Sequence, residues 1–227
     1  MVIKVKSIKA LVISDVHGGF SALKSMVERV GNVDIVLFCG DATPYGRVMT
    51  TLNAFKELAD ILKDYRVLAV PGNMDNYSEI ESVDKIGSLE IVHGKYVEIN
   101  DIVIAGVGGS TPTPFGTPFE LSEDVLESIL ARFRSIEGDR LVLLSHAPPY
   151  GTKCDIVVSG EHVGSKAIRK FVEEVQPLAV VCGHIHEARA IDKLGRTLIV
   201  NPGPASKGMY AILTIARGYV EAELLRI

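Results

Sequence analysis

The sequence predicts an α/β fold in which buried strands alternate with amphipathic helices. Short apolar runs rich in β-branched residues recur along the chain, and they have the length of strands that are buried on both faces. Longer segments with apolar residues at helical spacing lie between several of these runs, which indicates βαβ units. After residue 186 the pattern changes to short alternating stretches separated by glycine turns, which predicts a second sheet, mixed or antiparallel.

The individual elements follow from these patterns in chain order. The apolar runs predict strands over 10–14, 34–39, 66–70, 102–107, 141–145 and 178–182, and the helical spacing predicts helices over 20–30, 48–63, 122–135 and 165–175. In the third helix Glu123 and Asp124 lie at the N-terminus, where the helix dipole favours anions. The alternating stretches of the tail are 189–191, 197–200, 209–215 and 219–225. The proline-rich segment 111–119 is predicted to be a lid or a rim.

The composition limits the class of protein. A chain of 227 residues, 47% of them hydrophobic, can bury most of its apolar surface in one core, so a single domain over residues 1–227 is expected. The formal net charge of −4 lacks the positive field that holds a long phosphate backbone. A small phosphorylated substrate therefore fits better than a nucleic acid, and a homo-oligomer stays open.

The cysteines and the N-terminus predict a cytoplasmic protein. Cys39, Cys154 and Cys182 form no CxxC pair and leave an odd thiol, which favours a reducing compartment over a disulfide framework. Lys4 and Lys6 interrupt the N-terminal apolar residues, so the long apolar run of a signal peptide or membrane span is missing. We therefore expect no membrane association.

Metal-binding residue types fall directly after the predicted strands. Because ligands of open α/β sheets bind outside the carboxyl ends of strands, several loops would deliver these side chains to one edge. The spacing of two between Asp15 and His17, and between His184 and His186, would point each pair the same way if the backbone is extended. The candidate ligands are Asp15, His17, Asp41, Asn73, His146, His184 and His186.

This ligand set predicts a two-metal site. Carboxylate, imidazole and amide oxygen without thiolate suit Mn, Fe, Co, Ni or Zn, of which we favour Mn. Seven ligands are too many for one ion but suffice for two if one carboxylate bridges them. A pair of ions about 3.5–4 Å apart is a known solution for the hydrolysis of phosphate esters.

Motifs around these residues resemble the calcineurin-like metallophosphoesterase superfamily. They are SDVHG at 14–18, GD at 40–41, GNMD at 72–75, SH at 145–146 and GHIH at 183–186, and they span nearly the whole chain. The tail, with HAPPYGTKCD at 146–155 and NPGP at 201–204, resembles the small prokaryotic branch.

The resemblance implies a fold and a ligand assignment. The fold would be a four-layer α/β/β/α sandwich with two mixed sheets and the metal site at the C-terminal ends of the strands. Asp15, His17 and His186 would bind the first ion, Asp41 would bridge, and the second ion would be bound by Asn73, His146 and His184. Asp41, Asn73 and His146 are the residues on which catalysis would depend most directly.

These observations predict hydrolysis of a phosphate ester, preferably a phosphodiester, by a hydroxide held between the two ions. A phosphomonoesterase on the same site is one alternative. A non-catalytic metal-binding scaffold of the same fold is another, although the complete ligand set argues against it. A nuclease would need a basic track that the acidic balance does not suggest.

Five further residues receive more open interpretations. Many members of the superfamily carry histidine directly after the metal-binding asparagine, where it can protonate the leaving group. Here that residue is Met74, so the usual general acid is absent. Either Met74 only fills space while another group, such as His162 or a metal-bound water, donates the proton, or general-acid assistance is lost altogether.

Asp75 would orient a histidine ligand or cap the next segment. Arg47 would hold a phosphate or lie on the surface, and His93 is expected to be solvated.

Overall fold

A computed structural model of the chain describes residues 7–227, without the side chain of Arg47. The expectations for Lys4, Lys6 and the Arg47 guanidinium therefore lie outside the described part. The helices are α1 (Phe20–Val27), α2 (Thr51–Ile61), α3 (Glu123–Leu130) and α4 (Lys166–Val175). The strands are β1 (Ile8–Ile13), β2 (Ile35–Phe38), β3 (Val67–Ala69), β4 (Lys85–Ile86), β5 (Leu89–Ile91), β6 (Tyr96–Ile99), β7 (Ile102–Val107), β8 (Leu141–Ser145), β9 (Ala179–Val181), β10 (Ala190–Leu194), β11 (Thr197–Asn201), β12 (Met209–Ala216) and β13 (Tyr219–Arg226).

The described strands form two mixed sheets. The first has the order β13-β12-β1-β2-β3-β5-β4 and the second the order β10-β11-β9-β8-β7-β6. In each sheet the central strands run parallel, and strands at both edges run antiparallel to their neighbours. Parallel central strands have their C-terminal ends at one edge of the sheet, so loops that follow them in sequence meet there.

Three apolar clusters separate the layers. One cluster lies between the two sheets, where Val12 and Leu37 of the first sheet belong to the same core as Val142 and Val181 of the second. A second joins α1 and α2 to the outer face of the first sheet, and a third joins α3 and α4 to the outer face of the second. The architecture is therefore the four-layer α/β/β/α sandwich that the motifs imply. Among the described residues, no helix combines the length and apolar character needed to cross a bilayer.

The tail departs from the sequence prediction of a separate second sheet. Its strands are divided, because β10 and β11 extend the second sheet while β12 and β13 extend the first. β12 pairs antiparallel with β1 over five residues, and Ala211, Leu213 and Ile215 enter the core between the sheets. An alternating pattern indicates an antiparallel strand but does not specify its neighbour. Strands β4, β5 and β6 were not predicted, since they have only 2, 3 and 4 residues and each contains a charged residue that interrupts the apolar run.

Glu123 lies in the first turn of α3, as predicted, and has a second role. Although it begins α3, its carboxylate accepts hydrogen bonds from Ser165 Oγ (2.7 Å) and from the backbone N–H groups of Lys166 (2.8 Å) and Ala167 (2.9 Å). It therefore caps the N-terminus of α4, where an anion is stabilised by unpaired N–H groups and by the helix dipole. Asp124, its neighbour, is exposed.

We expect Glu123→Ala to lower the free energy of unfolding by about 1.5–3 kcal/mol, because it removes charged hydrogen bonds to three donors. Asp124→Ala is the matched control and should cost less than about 1 kcal/mol, the usual scale of an exposed charge near a helix end. Chemical denaturation of both variants measures the difference. Equal losses would show that the contact between the two helices adds nothing to stability.

Candidate metal centre

The candidate ligands lie on loops that follow strands of both sheets. Asp15, Asp41 and Asn73 come after β1, β2 and β3 of the first sheet. His146 and the pair His184 and His186 come after β8 and β9 of the second sheet. The packing of one sheet on the other therefore decides whether the two sets meet, and the structure brings them together.

The backbone at these loops is not extended, contrary to the spacing argument. Asp15, His17, Asp41 and His184 have φ angles of 56°, 44°, 63° and 67°, a left-handed conformation that costs energy outside glycine. Backbone bonds support it, because Asp15 N–H donates to the Gly40 carbonyl and His17 N–H to the Asp41 carbonyl, both at 2.9 Å. The paired side chains thus converge through tight turns rather than through strand alternation.

Two glycines are required by the crowding around the carboxylates. A Cβ atom on Gly72 would lie 2.0 Å from Asp41 Oδ1. A Cβ atom on Gly183 would lie 1.8 Å from Ser14 Oγ and 2.6 Å from Asp15 Oδ2. These distances are well below van der Waals contact, so any side chain there would displace a candidate ligand.

Asp15, His17 and His186 form the first group of ligand atoms that could share one ion. Asp15 Oδ1 is 3.2 Å from His186 Nε2 and 3.7 Å from His17 Nε2, and the two imidazole nitrogens are 3.2 Å apart. Asp15 Oδ1 is buried and has no hydrogen-bond partner among the described residues. A buried carboxylate oxygen left without a donor is costly, and a cation at the centre of this group would satisfy it.

A second set of ligand atoms surrounds His146. The ring Nδ1 of His146 is 2.7 Å from the Cys39 carbonyl, which can only accept, so Nδ1 carries the proton and Nε2 presents a lone pair. Asn73 Oδ1 lies 2.8 Å and Asp41 Oδ2 lies 3.5 Å from that Nε2. Three electron-pair donors thus face one another, an arrangement that suits a metal ion better than a hydrogen bond.

Asp41 lies between the two groups. Its Oδ2 is 3.6 Å from His17 Nε2 and 3.5 Å from His146 Nε2, while its Oδ1 accepts a 2.8 Å bond from Met74 N–H. Asp15, Asp41 and His146 also have ligand atoms close enough to share one ion. Oδ2 of Asp41 therefore has the position that a bridging oxygen would need.

His184 lines the cleft and lies beside His146, with the two ring centroids 5.1 Å apart. Its backbone N–H is 3.2 Å from Asp15 Oδ2. Burial, followed by the interaction with the neighbouring His146 ring, lowers the pKa of His184 to about 3. The ring is therefore neutral at ordinary pH, as a metal ligand must be. His184 is not a member of either group of acidic and histidine side chains whose ligand atoms lie close to one another, so its role as a ligand stays a prediction.

The carboxylates make the site electronegative. Burial and the neighbouring carboxylate of Asp75 raise the pKa of Asp41 well above its usual value. Burial also acts to raise the pKa of Asp15, but the imidazoles of His17 and His186 outweigh it and hold that pKa well below the usual value. Burying several carboxylates together is unfavourable unless positive charge compensates them. The charge balance of the site therefore fits divalent cations.

Asp75 does not orient a histidine ligand, which was one of its two predicted roles. Its Oδ2 accepts from the backbone N–H groups of Asp41 and Gly72, both at 2.8 Å. Its Oδ1 accepts from Thr43 N–H at 2.9 Å and from Thr43 Oγ1 at 2.6 Å. The side chain is fully buried, and it fastens the loop of Asp41 to the loop of Asn73. Asp75 thus positions two candidate ligands through their backbones.

An open cleft of about 640 Å³ lies over the candidate ligands. Segment 111–119 forms one wall, so it occupies the predicted rim. The lining also includes Met74 and Tyr45, whose ring stacks on His17 with centroids 4.2 Å apart. The full lining comprises His17, Asp41, Tyr45, Gly46, Asn73, Met74, Phe115, Gly116, Thr117, Pro118, His184 and His186.

The two remaining histidines lie outside the cleft lining. His162 is not a wall of the cleft, because its Nδ1 pairs with the buried Asp155 carboxylate at 2.7 Å. The prediction of a solvated His93 is wrong. This ring packs against Tyr77 and Phe119, and its Nδ1 accepts from Gly108 N–H at 2.8 Å. Burial lowers the pKa of His93 to about 4, so it is a neutral part of the packing.

Thr117 and Tyr45 were missed by the sequence reasoning. Thr117 Oγ1 accepts a 3.0 Å bond from Asn73 Nδ2, which turns the amide oxygen of Asn73 toward His146. Nothing in the local pattern around Thr117 marks it, because the contact spans 44 positions. Tyr45 precedes Gly46 within a turn just after the GD motif, and its proximity in sequence to Asp41 was the available signal.

Comparison with known proteins identifies relatives over most of the chain. The model of the protein family described as calcineurin-like phosphoesterase matches residues 8–188 of this chain. A Methanocaldococcus jannaschii protein is 37% identical over 91% of this chain and 93% of its own length. A protein of Vesicomyosocius okutanii described as a probable cyclic nucleotide phosphodiesterase is 24% identical over 81% of this chain and 76% of its own. The crystal structure of a Thermus thermophilus protein superposes with a TM-score of 0.67 at 17% identity, covering 96% of this chain and 99% of that one, which shows a shared fold.

We expect Thr117→Val to weaken the binding of a metal ion by Asn73 and His146 by about 10–100-fold, the usual effect of losing a residue that orients a ligand. Valine has nearly the same shape but cannot accept the bond from Asn73 Nδ2. Metal titration by calorimetry measures the affinity.

The matched control for Thr117 is Thr113→Val. Thr113 and Thr117 both donate to Glu120 Oε1 at 2.6 Å, but of these two only Thr117 bonds Asn73. The control should bind metal as the wild type does. Wild-type affinity in Thr117→Val would mean that Asn73 needs no support from this loop.

Proposed function

We propose that this chain, which belongs to the calcineurin-like phosphoesterase family, hydrolyses phosphate esters, and phosphodiesters in particular, with two divalent metal ions. The observation that carries the proposal is the position of Asp41. Its Oδ2 lies 3.6 Å from a nitrogen of one ligand group and 3.5 Å from a nitrogen of the other. One carboxylate placed between two sets of donors is what a pair of ions needs in order to share a ligand.

The assignment of ligands follows the two groups. Asp15, His17 and His186 would hold one ion. Asn73, His146 and His184 would hold the other, with Asp41 between them. Asp15 also comes near the second group, but its Oδ1 faces the two imidazoles of the first group and its Oδ2 is 3.2 Å from His184 N–H. Asp41 is therefore the better bridge.

Divalent ions bound there would lower the pKa of water and neutralise charge on the phosphate. The chain itself orients the candidate ligands. Asp75 fixes the loop of Asp41, and Thr117 turns the Asn73 amide. Manganese is our first choice among Mn, Fe, Co, Ni and Zn, because oxygen and imidazole donors without thiolate suit it.

A diester is favoured over a monoester by its lower charge. The carboxylates of Asp15 and Asp41 are buried at the site and already require compensating positive charge. A diester has a single negative charge and needs less compensation. The description of the Vesicomyosocius okutanii relative as a probable cyclic nucleotide phosphodiesterase supports the same choice. A monoesterase stays the alternative, and a screen of nucleotides, cyclic nucleotides and aryl diesters on metal-reloaded protein separates the two.

We expect the wild type to bind two ions per chain and Asp41→Asn to weaken both, since a bridging carboxylate supplies charge to each. Elemental analysis and metal titration of protein reloaded with Mn²⁺ give the stoichiometry and the affinities. Asp60→Asn, which neutralises an exposed carboxylate on α2, is the control and should bind as the wild type does. A wild type that saturates with one ion, or an Asp41→Asn protein with two unchanged affinities, would exclude the bridge.

Met74 gives a prediction about leaving groups. Its thioether lines the cleft and has no proton to donate. Of the two alternative donors, His162 is paired with Asp155, and a metal-bound water remains. General-acid assistance is worth about 10²–10⁴ in rate and matters most for strongly basic leaving groups. We therefore expect Met74→His to raise the turnover of alkyl diesters far more than that of aryl diesters of similar size.

The measurement for Met74 is the ratio of alkyl to aryl turnover in the wild type and in Met74→His, with metal content determined for both. Met74→Leu, which keeps an apolar side chain of similar volume, is the control and should leave the ratio unchanged. If histidine also leaves it unchanged with both ions bound, proton donation at this position does not limit the reaction.

A further inference from the structure

Two aromatic side chains at the mouth of the cleft are exposed to solvent. Phe115 is 85% exposed and Tyr45 is 58% exposed, yet both line the same cleft as His17, Asn73 and His186. A large apolar ring normally loses most of its exposed surface on folding, and exposed apolar surface beside a polar site marks a place where a ligand binds.

Phe115 is held in place rather than carried on a loose loop. Glu120 Oε1 accepts hydrogen bonds from Thr113 Oγ1 at 2.6 Å, Thr117 Oγ1 at 2.6 Å and Thr117 N–H at 2.8 Å, so both sides of the turn are tied to one carboxylate. Phe115 N–H donates to Thr113 Oγ1 at 3.2 Å. The turn is thus closed around the residue that carries the exposed ring.

The same turn is anchored to a candidate metal ligand. Asn73 Nδ2 donates to Thr117 Oγ1 at 3.0 Å, and Phe119 N–H donates to the Asn73 carbonyl at 3.0 Å. The position of Phe115 is therefore fixed relative to Asn73. Tyr45 is fixed in a similar way, because its ring stacks on that of His17 with an interplanar angle of 18°.

We propose that Tyr45 and Phe115 bind a planar aromatic ester group of the substrate while its phosphate lies at the candidate ligands. This inference rests on the proposed function and adds the class of substrate to it. The described cleft lining includes apolar residues such as Met74 and Pro118. Stacking and burial of a ring are therefore interactions that this cleft offers to the organic part of an ester.

The test compares two inert analogues of a diester. Dimethylphosphinate and methylphenylphosphinate both carry one negative charge on two oxygens, and their P–C bonds do not hydrolyse. They differ by one ring. We expect the Mn²⁺-loaded wild type to bind the phenyl compound about tenfold more tightly in calorimetry, since stacking on an aromatic side chain is worth about 1–3 kcal/mol and tenfold corresponds to 1.4 kcal/mol.

The variants show whether that preference comes from the exposed rings. Phe115→Ala should reduce it to about twofold or less without changing the affinity for dimethylphosphinate or the metal content, an expectation based on the loss of one stacking partner. Tyr96→Ala removes another exposed aromatic ring, on β6, and should leave the preference intact. Phe115→Trp keeps a ring and should keep the preference. Because the chain has no tryptophan, it also introduces a single tryptophan, whose selectively excited fluorescence only the phenyl compound should perturb.

The outcomes separate the two proposals. Equal affinities of the two phosphinates in a wild type that hydrolyses phosphate esters would overturn the aromatic site and leave the proposed function standing. Failure of both to bind, together with no hydrolysis of any ester, would overturn the proposed function and the inference with it. The KM for cyclic AMP is then compared in wild type and Phe115→Ala. A rise of about tenfold would identify the aromatic group as a nucleobase, and an unchanged KM as a smaller aryl ring.

Discussion

The geometry of the site depends on the hydrogen bonds that the carboxylate of Asp75 accepts. It is fully buried and accepts hydrogen bonds from four donors that belong to the loops after β2 and β3. Those bonds fix the backbone at Asp41 and Gly72, and the close approach that results leaves no room for a side chain on Gly72. Burial, together with the proximity of Asp75, raises the pKa of Asp41. One buried anion thus determines both the shape of the site and its need for positive charge.

Each of the two sheets supplies part of the set of candidate ligands. The first sheet supplies the carboxylates and the amide, and the second supplies His146, His184 and His186. The apolar core between the sheets sets their separation, so Val12 and Val181 influence the site through the packing of the two sheets. The hydrogen bond from His146 Nδ1 to the Cys39 carbonyl joins the two sheets directly at the edge where the candidate ligands gather.

Sequence patterns predicted the fold class, the central strands and the helices closely, because a strand buried on both faces needs a continuous apolar run. β7 and β8 have the predicted bounds. Short edge strands and the partner of β12 could not be predicted, since pairing is decided by contacts far apart in the chain. The motifs predicted which side chains gather at the strand ends, although the left-handed turn at Asp15 replaces the extended backbone that was expected. The roles of Asp75 and Thr117 depend on distant partners, and no local pattern revealed them.

The origin of the candidate ligands in both sheets has a consequence for stability. An ion held by His186 of one sheet and Asp15 of the other would act as a cross-link between two layers that otherwise meet mainly through apolar side chains. A ligand that binds only the folded state adds about 2.7 kcal/mol at a hundred times its dissociation constant, a substantial part of the roughly 5–15 kcal/mol that keeps a domain folded. The cellular supply of the metal would then govern how long the protein survives as well as how fast it works. Starvation for that ion would expose the chain to proteolysis.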